Sequence, residues 1–237
     1  MTTMPFPARD YLPVLRELTG AFAGQLRAAD PAAAVPDCAG WTVTDLGTHL
    51  GNVHRWAATV VRTGDAQPQN FGADVGADLA SWYAESARLL LDALDAADPE
   101  DPCWHFGGTP KTKSFWFRRQ VHETAVHLAD SGSDHVLDPA VAADGVDEVL
   151  GVLMPRVARW HPVPELPHPV SLRATDTGDV WTVHPGEPPA LGPAADGAAT
   201  VEAPARALLL RLWKRTGPSP HTAGAAAAAF LATPLTP

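Results

Sequence analysis

A proline-rich segment, residues 161–169, divides this chain into two parts with different apolar periodicity. Because proline lacks a backbone N–H and its ring clashes with the preceding turn, a helix cannot continue through a segment that contains four prolines. Apolar residues recur at helical intervals before the segment, and the pattern changes to that of short strands after it. We therefore predict an α+β protein with a helical domain over residues 1–162 and a small α+β domain over residues 168–237.

Five amphipathic helices are expected in the first part. Thr42 followed three residues later by Asp45 resembles a capping box, which predicts where the second helix begins. Pro155 should kink the fifth helix. The predicted helices cover residues 8–29, 42–62, 77–97, 117–130 and 144–160, and residues 64–76 and 98–113 are read as loops.

The second part shows a hairpin pattern. Val170–Ala174 and Val180–His184 flank the turn Asp176-Thr177-Gly178-Asp179, where the glycine suits a tight connection. Residues 198–202 are a further candidate strand. Helices are expected after Pro204 and over the alanine-rich residues 223–231.

The helix over residues 117–130 carries the strongest chemical pattern. Glu123 and His127 are four residues apart, so the carboxylate and the imidazole share a face and supply two ligands of an open metal site. His49, near the second turn of its helix, is the best donor of a third ligand. Two histidines and one glutamate form several catalytic zinc sites that leave a position for water or substrate. Taken alone, such a pair is more often an exposed polar pair or a hydrogen-bonded histidine.

Three motifs carry a resemblance to a known family. They are Trp-x-x-x-Asp-Leu-x-x-His-Leu ending at Leu50, Arg-Arg-x-x-His-Glu-Thr-x-x-His followed by Asp130, and Leu-Leu-Leu-x-Leu-Trp-x-Arg ending at Arg215. The chain resembles the actinobacterial mycothiol-dependent maleylpyruvate isomerases and their relatives. The resemblance implies a DinB-like up-down four-helix bundle followed by the family's small C-terminal domain.

The resemblance also implies a chemistry. By position, the family's metal ligands fall on His49, Glu123 and His127, and a catalytic arginine falls on Arg215, which could bind an anionic substrate. The expected cofactors are a divalent metal, with zinc as the expected ion, and mycothiol, whose sulfur the metal keeps as thiolate. The expected activity is cis-trans isomerisation of a small unsaturated substrate, or S-transfer to an electrophile.

Neighbouring residues have supporting roles in this reading. Asp130 and Asp45 are candidates to accept a hydrogen bond from a ligand histidine. Arg118 and Arg119 are expected to point away from the ligands, in surface or inter-helix salt bridges. His122 is turned about 100° from Glu123, so we assign it to packing or to support of the site.

Aromatic and loop residues are interpreted more simply. Trp56 is expected to pack in the core. His105, Trp104 and Lys113 could border the active site, although solvated loop positions are the simpler reading. Neither cysteine is an expected nucleophile, and no GxSxG elbow is present, which fits an external thiol.

The amino-acid composition limits which classes of binding partner are expected. The formal charge of -10, without a basic stripe, argues against nucleic acid. The sequence shows no apolar run long enough for a bilayer and no secretory leader pattern, so we expect a cytoplasmic protein. Small molecules are the expected partners.

Two other functions stay open from the sequence. A metal hydrolase would use the ion to activate water, although no clear general base accompanies the three ligands. A non-catalytic metal-binding or regulatory protein could use the same fold.

Overall fold

The structure is a computed structural model, and it describes residues 5–69, 75, 78–160 and 166–237. The chain divides into two compact units. The first extends to Val136 and the second begins at Leu137.

The first unit is a bundle of four long helices, preceded by a short 3₁₀ turn, Ala8–Asp10. The four helices are α1 Tyr11–Ala28, α2 Val43–Thr63, α3 Leu79–Asp95 and α4 Ser114–Asp130. Helices α1 and α2 each pack against both α3 and α4, so α1 and α2 lie diagonally across the bundle, an order that helical periodicity alone does not specify. The core between them holds fully buried aromatic rings, such as Phe22 and Tyr83, whose centroids are 4.7 Å apart.

The start of α2 confirms the predicted capping box. The Thr42 hydroxyl accepts a hydrogen bond from the Asp45 backbone N–H at 3.2 Å, and the Asp45 carboxylate accepts one from the Thr42 backbone N–H at 2.8 Å. These contacts satisfy two backbone donors that the first turn leaves open. The box thereby fixes the position of His49 on the helix.

Helix α4 is buried along nearly its whole length, charged residues included. Counted as whole residues, backbone included, Arg118, Arg119, Glu123 and His127 are each less than 10% exposed. Because an unpaired buried charge is very costly, these side chains need partners inside the protein. Helix α4 therefore places several charged side chains inside the bundle.

The second unit contains a five-stranded sheet, with helices before its first strand, between its fourth and fifth strands, and after its last strand in the chain. The strands are β1 Val170–Ala174, β2 Val180–His184, β3 Ala190–Gly192, β4 Ala199–Ala203 and β5 His221–Ala223. The helices are α5 Pro139–Glu148, α6 Met154–Val157, α7 Ala205–Leu212 and α8 Ala225–Ala232. The strand order is β3-β2-β1-β4-β5, with β1 antiparallel to β2, as the predicted hairpin requires, and parallel to β4. Gly178 adopts a φ of 82° in the hairpin turn, a conformation that glycine accepts without strain.

The predicted fold class is confirmed, but the division between the units lies elsewhere than expected. Helix α5, which the sequence analysis assigned to the bundle, packs against α7 and belongs to the second unit. Pro155 marks an irregularity as predicted, in the form of a π-helical segment, Val149–Leu153, just before α6. Of the proline-rich segment, residues 161–165 lie outside the described residues.

Among the helices of the described residues, none combines the length and the apolar character needed to cross a membrane.

Candidate metal centre

Three predicted ligands converge where α2 meets α4. One ligand atom from each of His49, Glu123 and His127 lies within 4.8 Å of the other two. Glu123 Oε1 is 3.6 Å from His49 Nε2 and 3.4 Å from His127 Nε2. Two atoms that each bind a tetrahedral zinc ion at about 2.0–2.1 Å are separated by roughly 3.4 Å. The spacing of the donor atoms therefore fits a divalent ion.

The three side chains differ in exposure. Those of Glu123 and His127 are 12% and 6% exposed, whereas that of His49 is 28% exposed. Glu123 and His127 are thus largely shielded from bulk water, and His49 is the most accessible of the three. The arrangement suits a site that keeps one coordination position for an incoming molecule.

The electrostatics of the cluster favour a cation. Burial raises the pKa of Glu123, but the Arg119 guanidinium and the two imidazoles outweigh it and hold that pKa well below its usual value. Burial lowers the pKa of His127, but hydrogen bonds to Asp130 and Glu123 and their charges raise it to about 9. The carboxylate is therefore ionised, and the field at His127 stabilises positive charge.

Asp130 occupies the predicted supporting position. Its Oδ2 accepts a hydrogen bond from His127 Nδ1 at 2.9 Å, which fixes the ring and leaves Nε2 facing Glu123. The same oxygen is 3.5 Å from the Cys38 thiol. The corresponding hypothesis for Asp45 is wrong, because that carboxylate serves the capping box of α2 and is exposed.

Arg119 is a site residue whose role the sequence analysis missed. It was expected to point away, yet its Nη2 contacts Glu123 Oε2 along one face of α4. The signal was present in the sequence, because residues four apart share a helix face.

Trp41 was also missed as a neighbour of the ligands. Its ring centroid is 5.0 Å from that of His49 and 6.4 Å from that of His127, on which it is stacked. Trp41 therefore packs against the imidazoles of both candidate ligands, His49 and His127. No spacing rule connects it to them, because it precedes α2.

Two other residues near the ligands in sequence have packing roles. His122 is fully buried, with its ring edge-on to Tyr11 at 6.4 Å. Trp56 packs edge-on against Trp116 at 5.1 Å and donates its indole N–H to the Gln67 carbonyl. Both agree with the packing interpretation.

One of the three residues singled out in the loop before α4 is buried. His105 is 3% exposed, stacks on Phe115 at 4.1 Å and accepts a hydrogen bond from the Gly107 N–H, so the expectation of a solvated histidine is wrong. Lys113 forms an ion pair with Asp101 at 2.8 Å, and Trp104 is 37% exposed.

Arg215 lies in the second unit, just after α7. It is partly buried, and its Nη1 donates to the Trp213 carbonyl at 2.9 Å. Its guanidinium carbon is 5.8 Å from the centre of the Trp213 ring. These contacts restrain the side chain from one side.

Fold and site together define a class: a helical bundle with a candidate two-histidine, one-carboxylate metal centre, followed by a small α+β unit. The family model described as the mycothiol maleylpyruvate isomerase N-terminal domain matches residues 13–131, and the one described as the MDMPI C-terminal domain matches residues 140–233. The chain therefore belongs to the mycothiol maleylpyruvate isomerase family, which is a family of enzymes. The second match begins within α5, in agreement with the division between the units.

Solved structures show the same fold. A crystal structure of the mycothiol-dependent maleylpyruvate isomerase has a TM-score of 0.69 to this chain, and one of a point mutant of that enzyme has a TM-score of 0.70. Each is 14% identical in sequence, and each comparison covers 94% of this chain and 95% of the other. No curated protein shows significant sequence similarity to the chain.

Proposed function

We propose that this chain is a metal-dependent enzyme that uses mycothiol to isomerise, or to couple to sulfur, a small unsaturated anionic substrate. The observation that carries the proposal is the convergence of His49, Glu123 and His127 within 4.8 Å in a chain of this family. A divalent ion, with zinc as the best match to the donor set, would bind the thiol at its open position and lower the pKa of the sulfur.

The residues of the centre have separate roles in this proposal. His49 and His127 supply neutral nitrogen ligands, and Glu123 supplies the only anionic one. Asp130 orients His127 through its Nδ1 hydrogen bond. Because the ligand set carries one negative charge, a divalent ion would keep a net positive charge that attracts a thiolate.

Arg215 is the proposed cation for the substrate. A guanidinium binds a carboxylate through two parallel hydrogen bonds, and it stays charged at any physiological pH. Replacement of Arg215 by lysine keeps the charge but loses the paired geometry, so we expect KM for an anionic substrate to rise. Replacement by methionine should raise it further.

The proposed isomerisation leaves the thiol unchanged overall. The sulfur lone pair forms a bond to one alkene carbon, and the π electrons move onto the conjugated carbonyl as an enolate. Rotation about the resulting single bond follows. The enolate electrons then restore the alkene and expel the sulfur as thiolate, which gives the trans product. In S-transfer the enolate is protonated instead, and the carbon–sulfur bond remains.

Elemental analysis tests the metal part of the proposal. We expect about one zinc ion per purified wild-type chain and substantially less in His49→Ala and Glu123→Ala, with all three proteins folded by circular dichroism. Equal metal content in the three would contradict the ligand assignment.

Incubation of the metal-loaded protein with mycothiol and maleylpyruvate, followed by mass spectrometry, tests the reaction. A trans product with recovered thiol supports isomerisation, and a stable thiol adduct supports transfer. Turnover without thiol would favour a hydrolase. Bound metal with no turnover and no protection of mycothiol from alkylation would favour a binding protein.

A further inference from the structure

We propose that Arg119 is a positioning residue that holds Glu123 as a one-oxygen ligand and makes the bound metal a stronger acceptor for an anionic thiolate. The inference rests on the proposed metal site. It concerns a residue that contacts a ligand rather than the ion.

The two oxygens of Glu123 face different partners. Oε2 contacts the Arg119 guanidinium, whereas Oε1 faces the imidazoles of His49 and His127 at 3.6 and 3.4 Å. The arginine contact turns Oε2 away from the imidazoles, so Oε1 is the oxygen placed to bind a metal between them. The pair would therefore favour coordination through one oxygen, which would leave a position for an exogenous ligand.

The contact is built into the buried part of the bundle. The side chains of Arg119 and Glu123 are 6% and 12% exposed, and both belong to α4, where a spacing of four residues keeps them on one face. Surface ion pairs are screened by water and salt, but a pair at this depth is screened much less. Arg119 therefore acts on the carboxylate persistently.

The charge of the arginine has a consequence for the metal. A guanidinium does not lose its proton in proteins, so it offsets the negative charge of the only anionic ligand at every working pH. Arg119, His127 and His49 act on the Glu123 carboxylate, and the buried His54 also interacts with it electrostatically. His49 and His127 would be neutral as ligands. The ion then keeps more of its positive charge, which stabilises a bound thiolate over a bound thiol.

A purely structural role predicts something different. If Arg119 only compensates the buried Glu123 charge, its replacement should change protein stability without changing the pKa of a thiol on the metal. The two roles are therefore separable by spectroscopy.

The test uses the full-length protein loaded with Co²⁺, whose sulfur-to-metal charge-transfer band reports bound mycothiol thiolate as the pH is varied. In Arg119→Met we expect the pKa of the bound thiol to rise by about one unit, the low end of the effect of a charge a few ångströms away. In Arg119→Lys, which keeps the charge, we expect it to stay near the wild-type value. Arg88→Met is the matched control, since Arg88 also pairs with carboxylates on its own helix but is more than half exposed. An unchanged thiol pKa in Arg119→Met would overturn the proposal.

A second measurement keeps the proposal testable if Arg119→Met does not fold. Lysine presents a point charge instead of a planar fork, so Arg119→Lys should hold Glu123 less firmly and bind Zn²⁺ about tenfold more weakly in competition with a chelator. Wild-type affinity in Arg119→Lys would contradict the positioning role. If the wild-type protein binds no metal, the proposed function fails as well. If it binds metal and thiol but the Arg119 variants behave like it, only this inference fails.

Discussion

Two aspartates were expected to support ligand histidines, and their contacts now predict different outcomes. Asp130→Asn removes the anionic acceptor of the His127 Nδ1 hydrogen bond, so the ring loses orientation and basicity. We expect Zn²⁺ affinity to fall by about 10- to 100-fold, the usual effect of losing such a partner. Competition with a chelator of known affinity measures it.

The control for this prediction is Asp45→Asn. This substitution disturbs the capping box of α2, so it should lower the free energy of unfolding slightly. Zn²⁺ affinity should change little, since Asp45 contacts Thr42 and not a ligand. Equal losses of affinity in the Asp45 and Asp130 variants would show that α2 stability, and not His127 orientation, governs binding.

His105 should make the protein sensitive to acid. Burial lowers its pKa to about 4, outweighing its hydrogen bond to the Pro110 carbonyl, whereas an unfolded chain has a histidine pKa near 6.5. Between these values the unfolded state binds more protons, so stability decreases as the pH falls from about 6.5 to about 4. We expect urea unfolding of His105→Gln to show a shallower pH dependence in that window than the wild-type protein.

The substitution also removes the stacking of His105 on Phe115, so His105→Gln should be less stable at neutral pH. This loss of stability is the same at every pH, so it does not change how steeply the free energy of unfolding depends on pH. That pH dependence is the quantity that tests the prediction. Parallel slopes for the two proteins would show that His105 is protonated equally in the folded and unfolded states.

At this scale, the sequence predicted the convergence of the three candidate ligands better than it predicted the residues around them. Glu123 and His127 follow from the spacing of four residues, and the capping box places His49. The contact of Trp41 with both imidazoles depends on how the segment before α2 folds back, and periodicity contains no information on that. Arg119 could have been assigned by the same rule that selected the ligands.

At the scale of elements, the packing of α2 against α3 depends on a glycine. A Cβ at Gly51 would lie closer to the Trp82 indole than van der Waals contact allows, and the Arg55 guanidinium is 5.0 Å from the same ring. Overpacking a core costs about 1–3 kcal/mol, against a gain in helix propensity of up to about 1 kcal/mol. We expect Gly51→Ala to lower the free energy of unfolding, as measured by urea denaturation.

Gly24 provides the matched substitution. It lies in α1, is exposed, and a Cβ there would meet nothing within 4 Å. Gly24→Ala should therefore stabilise the protein by up to about 1 kcal/mol through helix propensity. The explanation by steric contact with Trp82 is untenable if both variants change stability in the same direction.

The long elements were predictable because their signals are long or are punctuated by caps and turns. The hairpin of β1 and β2 has a glycine turn, and α2 has its capping box. Strands β3 and β5 have three residues each, which is too short for an alternating pattern to be recognised. They were missed for that reason.

At the scale of the whole molecule, the sequence showed that there are two units but not which of them holds α5. Proline marks where a helix must stop, and the proline-rich segment was therefore taken as the boundary between the two domains. The unit to which a helix belongs depends on the surface against which its apolar face packs, and α5 packs against α7. Apolar spacing identifies the buried face of a helix without identifying its partner.

Binding of a metal ion at the proposed centre should stabilise the folded protein. An ion that binds only the folded protein raises the free energy of unfolding by about 2.7 kcal/mol at a concentration one hundred times its dissociation constant. For a chain of this length, that corresponds to a rise in Tm of roughly 5–10 °C. We expect Zn²⁺ to produce such a shift in the wild-type protein and a much smaller one in His49→Ala.

The stabilisation by Zn²⁺ should be confined to the first unit, because all three proposed ligands lie before Val136. Hydrogen exchange measured with and without Zn²⁺ should therefore show added protection in α2 and α4 and little change in β1 and β4. A metal that binds by scattered surface carboxylates would stabilise His49→Ala as much as the wild-type protein. Protection that spreads equally over both units would mean that the ion acts through their joint unfolding, and not through the centre formed by α2 and α4.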